Sequence, residues 1–158
     1  MKYFHRQFLI IMVLLAWCPQ AEAVCSTVSV STIGLAFGNY DPASAVPTYT
    51  TGNISIICTG IAGANSAYTI GLGGILSGNS LRYMTSASGS LLKYNIYEDV
   101  ARSIVWGSGQ GNTQLVTDSY TLTTANIPYN YPIYGAILAM QNVSVGVYYD
   151  VINVIVNF

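Results

Sequence analysis

The sequence predicts an all-β fold, an antiparallel β-sandwich, and three observations point there. No run of Ala, Leu, Glu, Lys and Arg recurs at helical spacing, and residues 98–103 offer one helical turn at most. Short β-branched and aromatic stretches instead alternate with Gly, Ser, Asn and Pro. About ten such stretches, broken at regular intervals, fit the length of one domain.

The chain opens on a removable leader. Lys2 and Arg6 make a basic start, Phe8 to Trp17 is apolar, and Ala21 and Ala23 fit cleavage before Val24. The apolar core is about ten residues where a bilayer span needs about 20, so no membrane anchor is expected. Residues 1–23 therefore read as a signal peptide and 24–158 as a single domain. Lipidation at Cys18 is the competing reading, but that signal takes a small residue before the cysteine, and Trp17 is bulky.

Losing the leader removes chemistry. His5, the single histidine, goes with it, and so does Cys18. Arg82, Lys93 and Arg102 then face Asp41, Glu98, Asp99, Asp118 and Asp150. So few cations cannot neutralise the run of phosphates that nucleic-acid binding requires. Without histidine, the Ser-His-Asp triad, Cys-His nucleophiles and His-based metal sites are impossible. No catalytic residue, metal or cofactor is expected. Cys25 and Cys58 remain, and an even count in an exported chain argues for one disulfide. It closes a loop of about 33 residues and stabilises the fold by roughly 3–4 kcal/mol on a chain-entropy model.

Strands are expected near 26–31 and 33–38, then at 52–58, 66–72, 80–84, 91–97, 103–106, 114–123, 131–139 and 147–158. Asn39-Tyr40-Asp41-Pro42, Gly60 to Asn65, Gly73 to Asn79, Ser86 to Ser90 and Gly107 to Asn112 supply turn chemistry between them. The last strand is the most informative. Ile152, Val154, Val156 and Phe158 share one face, while Asn153 and Asn157 fall on the other. So apolar a strand belongs inside a sheet, between two neighbours, yet no returning strand follows it in the sequence. An unpaired edge of that length invites aggregation. Either another segment covers it or a partner supplies the missing strand.

Seven pieces of the chain, in order over 25–158, resemble the spore coat protein U family, whose members include the archaic chaperone–usher pilins. They are Phe37-Gly38-Asn39-Tyr40-Asp41-Pro42, Gly52-Asn53-Ile54-Ser55-Ile56-Ile57-Cys58, Arg82-Tyr83-Met84 and Leu92-Lys93-Tyr94-Asn95-Ile96-Tyr97-Glu98-Asp99. Val105-Trp106-Gly107-Ser108-Gly109, Tyr134-Gly135-Ala136-Ile137 and Gly146-Val147-Tyr148-Tyr149-Asp150-Val151-Ile152-Asn153-Val154 complete the set. The resemblance implies an incomplete immunoglobulin-like sandwich lacking its final strand, with a disulfide matching Cys25–Cys58. It implies a periplasmic chaperone that lends a strand during folding, and an outer-membrane usher where a neighbouring pilus subunit replaces it. Ile152, Val154, Val156 and Phe158 would then contact the chaperone or donor strand.

One departure from that pattern carries an expectation. Family rod subunits bear, before the first cysteine, roughly a dozen residues with alternating apolar positions, the donor strand. Here Val24 alone separates the expected cleavage site from Cys25, and Trp17 to Ala23 contains Pro19 and Glu22 without alternation. The chain is expected to accept a strand and not to donate one, as a tip or terminal subunit does.

Other constellations have plainer readings. Gly71-Leu72-Gly73-Gly74 and Gly107-Ser108-Gly109-Gln110-Gly111 lack a following Lys-Ser/Thr pair and helix, so they read as hairpin turns. Glu98 and Asp99 are adjacent in a strand and point apart, which excludes shared acid–base work. Asp41 and Asp150 are expected to bind backbone at a turn and a strand start, and Arg82 to pair with a carboxylate. Scattered acids give no calcium site. The tyrosines and Trp106 read as cross-strand pairs, with exposed adhesive loops at Ile61 to Ala64, Ile75-Leu76 and Tyr129 to Tyr131 as the alternative.

The reading is a structural or adhesive fimbrial subunit without catalysis, exported through the periplasm to the cell surface or secreted, serving attachment and biofilm formation. A secreted spore-coat or matrix protein that uses no usher is the alternative, and a carbohydrate-binding module the third.

Overall fold

Antiparallel pairing starts with β1 (Cys25–Ile33) on β2 (Thr48–Gly60). The computed structural model describes residues 25–60, 62–74, 80–122 and 127–158, so the leader reading and the loop positions Ile61, Ile75 and Leu76 lie outside the described residues. Then follow β3 (Asn65–Leu72), β4 (Arg82–Ser86), β5 (Leu91–Tyr97), β6 (Val116–Thr121), β7 (Tyr129–Ile137), β8 (Tyr148–Tyr149) and β9 (Val154–Asn157). One sheet has six strands in the order β1-β2-β7-β5-β4-β8, the other three in the order β6-β3-β9. Every ladder between these strands is antiparallel. The described residues contain no helix, and hence none long and apolar enough to cross a membrane.

Alternation explains the sandwich. Ile54, Ile56 and Cys58 of β2, Tyr68, Ile70 and Leu72 of β3, and Leu92, Tyr94 and Ile96 of β5 are all buried, two residues apart. They form one core between the sheets, joined by Met84, Val116, Ile133 and Ile137. Trp106 is fully buried there, and its indole N–H donates to the Ile70 carbonyl at 2.9 Å. That bond satisfies the one polar atom of the largest core side chain.

Four expectations about local structure need correction. The two strands expected at 26–31 and 33–38 are one strand, ending at Ile33, and residues 34–40 have no strand pairing. They drop onto the inner face of the large sheet, where Phe37 meets Tyr94 edge-on at 6.0 Å. A glycine at 135 permits this, because a Cβ there would lie 2.7 Å from Phe37 and 2.9 Å from Leu35. The segment 103–106 makes only isolated bridges, Val105 to Tyr97 and Trp106 to Gln114. Residues 98–102 turn without forming helix; Asp99 accepts from Ser103 and Ile104 N–H groups, and Arg102 takes a positive φ of 58°.

The terminal strand expected at 147–158 is split. Tyr148 and Tyr149 pair with β4 in the large sheet, residues 150–153 cross over, and Val154–Asn157 pair with β3 in the small one. Among the described residues β9 is an edge with β3 on one side, which leaves open the place for a strand supplied from elsewhere.

Arg82 is fully buried without the expected carboxylate pair. Its guanidinium donates to the carbonyls of Gly73, Leu72 and Trp106, while Nε has no partner. Burial lowers its pKa, against an opposing pull from Tyr94 and Asp150. The side chain thus ties the end of β3 and the Trp106 bridge to β4, beside the crossover.

Candidate functional site

The cleft lies between the unpaired segment that follows β1 and the crossover that precedes β9. Residues 32–37 border it on one side and residues 148–154 on another, over a floor of Ile54, Met84, Tyr94, Ile96 and Ile133. This part encloses about 310 Å³. A second part of about 530 Å³ shares Leu35, Phe37, Met84 and Tyr148 and continues beneath Val143 to Val147. Both parts therefore form one elongated apolar groove.

Its borders are unfinished in the way a sandwich short of a strand would be. Among the described residues, the β9 edge away from β3 has no strand on it, and neither does the segment 34–40. The inner face of β1 is uncovered as well. Val28 and Val30 pair directly with buried Cys58 and Ile56, so they face the core, yet they are 41% and 42% exposed. An extended segment laid along β9 would cover that face and bond a free row of backbone groups.

The residues singled out from the terminal strand fall where its alternation puts them. Ile152, Val154 and Val156 are half-buried and pack against the core; Ile152 and Val154 line the cleft. Phe158 lies against Tyr68 at 5.5 Å and remains 48% exposed. The opposite row is outward, with Val151 at 78% and Ile155 at 48% exposure. Cys25 and Cys58 are joined, with Cα atoms 5.6 Å apart, and tie the start of β1 to the end of β2.

Sequence reasoning missed the other border and the floor. Leu35 and Phe37 alternate as strand residues do, and that signal was legible; their lack of a sheet partner was not. Asp150 was expected to bind backbone, and its Oδ1 accepts from the Val151 N–H at 2.7 Å. Its Oδ2 also accepts from the Tyr94 hydroxyl at 2.7 Å. Burial first, then that bond, raises the Tyr94 pKa far above its ordinary value. At the other end of the core, the Tyr131 hydroxyl donates to Asp118 at 2.8 Å and also bonds Tyr68. Residues 129–131 are thus strand β7 rather than a loop, which corrects that adhesive candidate. Among the described residues no group of three or more His, Cys, Asp or Glu could hold a metal ion.

The sequence and the fold have recognisable relatives. A family model for the spore coat protein U domain matches residues 11–155. Protein U of Myxococcus xanthus is 32% identical over 135 residues, covering 78% of this chain and 71% of that protein. Among solved structures, this chain is similar to a chain of the chaperone–tip adhesion subunit pre-assembly complex from the archaic chaperone–usher Csu pili of Acinetobacter baumannii. The TM-score is 0.50 at 23% identity, over 84% of this chain and 40% of that one. At that identity the likeness speaks to fold, and the present chain spans about two-fifths of its neighbour's length.

Proposed function

Since the chain belongs to the spore coat protein U domain family, we propose that it is a subunit of a chaperone–usher fimbria, completed by a strand from another protein. One observation carries this reading: the apolar groove beside the free β9 edge, with the inner face of β1 left bare. Backbone pairing along β9 supplies affinity, and apolar side chains entering the groove at alternate positions supply fit. A periplasmic chaperone fills the groove first; a neighbouring subunit delivered at an outer-membrane usher fills it later. The domain is 24–158, exported and displayed at the cell surface. It acts by binding, in attachment and biofilm formation, with Ile152, Val154, Val156 and Phe158 among the groove contacts.

Within a fibre it is a tip or terminal subunit. The stretch Trp17 to Ala23 carries Pro19 and Glu22 and lacks the alternation a donated strand needs. The test is to express the full-length chain together with an archaic-type periplasmic chaperone and outer-membrane usher. The reading expects a one-to-one chaperone complex in the periplasm and a fibre with this subunit at one end. Secretion as a free monomer without any chaperone complex would overturn it. Long homopolymers joined by the chain's own first residues would overturn the terminal position alone.

The family description favours one second reading, a coat or matrix protein assembled without an usher. Assembly in a strain lacking the usher decides between the two.

A further inference from the structure

Among the described residues, Asp150 is the one charged residue lining either part of the groove. It sits in the inward row with Tyr148, Ile152 and Val154, and all four line the same cavity. Asp150 is an exposed residue that lines the groove, although the Tyr94 whose hydroxyl it accepts from is buried. Each oxygen holds one hydrogen bond, from the Tyr94 hydroxyl and the Val151 N–H. A carboxylate has about four lone-pair sites, so both oxygens keep accepting capacity.

An occupant strand would take water away from Asp150. A carboxylate stripped of water needs new donors, and an apolar neighbour offers none. Arg82 does not supply them. It is the cross-strand partner of Tyr94, but its hydrogen bonds run to the Leu72, Gly73 and Trp106 carbonyls.

Resting on the strand-acceptor reading, we propose that Asp150 determines which strand the groove takes. It selects an alternating apolar strand that presents a hydroxyl, amide or ammonium group at the one inward position facing it. It rejects a carboxylate there and disfavours a plain aliphatic side chain. The buried guanidinium below lends long-range compensation, so a neutral donor such as threonine suffices and lysine is not required.

The test uses the disulfide-bonded 24–158 protein and labelled peptides of about a dozen residues. The peptides alternate valine inward with threonine outward, and one inward position at a time carries Lys, Thr, Val or Glu. Anisotropy titrations should find one position where Lys and Thr bind roughly tenfold tighter than Val, and Glu roughly tenfold weaker. Asp150→Asn should abolish the Lys advantage over Val and the exclusion of Glu. The same ranking in Asp150→Asn, or no position with a preference, overturns the proposal while leaving the acceptor reading intact. Failure of every peptide to bind overturns both.

Discussion

Val30 and Ile56 are direct cross-strand partners on the same face of the large sheet, yet Ile56 is fully buried and Val30 is 42% exposed. Neighbours this close normally share an environment. Here Ile56 lies within the core cluster, whereas the bare face of β1 runs on from Val30 to Thr32, which borders the groove.

Truncating the two should therefore have different consequences. Ile56→Ala should destabilise the free domain by about 2–5 kcal/mol through lost burial and a residual cavity. Val30→Ser should cost less than about 1.5 kcal/mol in the free domain, yet weaken binding of a strand peptide about fivefold. Urea titrations and peptide affinities read both. Equal destabilisation by the two changes would mean that β1 is covered in solution.

The alternation of β9 makes a second contrast. Val154→Asp and Val156→Asp place a carboxylate against the core and should cost at least about 2 kcal/mol each, with loss of export. Asn157→Asp lies on the outward row, opposite Thr69, and should be exported normally. Quantifying the three in periplasm and medium checks this; similar levels for all three would contradict the inward face.

Cys58→Ser should act chiefly on β1. Nearly all of that strand is exposed, so its hold rests on the β2 ladder and the covalent tie. The loss should be roughly 3–4 kcal/mol, with hydrogen exchange rising first in β1. Two free thiols found in the mature wild-type protein by mass spectrometry would refute the bridge.

The loop after β5 has a pH signature. The Ile104 N–H, with the Ser103 hydroxyl and N–H, holds the Asp99 carboxyl below its ordinary value of 3.8. A depressed folded pKa stabilises the loop above pH 3.8 and loses that contribution as pH falls through the lower folded value. The Ser103 and Ile104 amide resonances should therefore stay constant between about pH 5 and 8 and move only below 3.8. Asp99→Asn should remove the transition. A wild-type midpoint above 3.8 would contradict the assignment.

Particular elements show how far the sequence carried. The expectation at 91–97 coincides with β5, and 66–72 lies within β3, because apolar residues there alternate between clear turns. The 103–106 stretch looked equally strand-like but found only bridges, because its backbone partners are split between Ile96 and Gln114. Arg82 was expected to pair with a carboxylate, since nothing local reveals that backbone carbonyls from two other segments converge on it.

Period-two alternation and turn chemistry are local properties, so the sequence by itself determined the all-β class, most strand positions and the inward row Ile152, Val154, Val156. It likewise placed Cys25 and Cys58 in a chain read as exported. Tertiary structure decided where the last segment leaves one sheet for the other, that residues 34–40 border the groove without pairing, and that Asp150 meets Tyr94 inside it. The reason is physical. A strand's own residues specify which side chains share a face, whereas the presence or lack of a neighbour on its edge depends on chain segments far away in sequence.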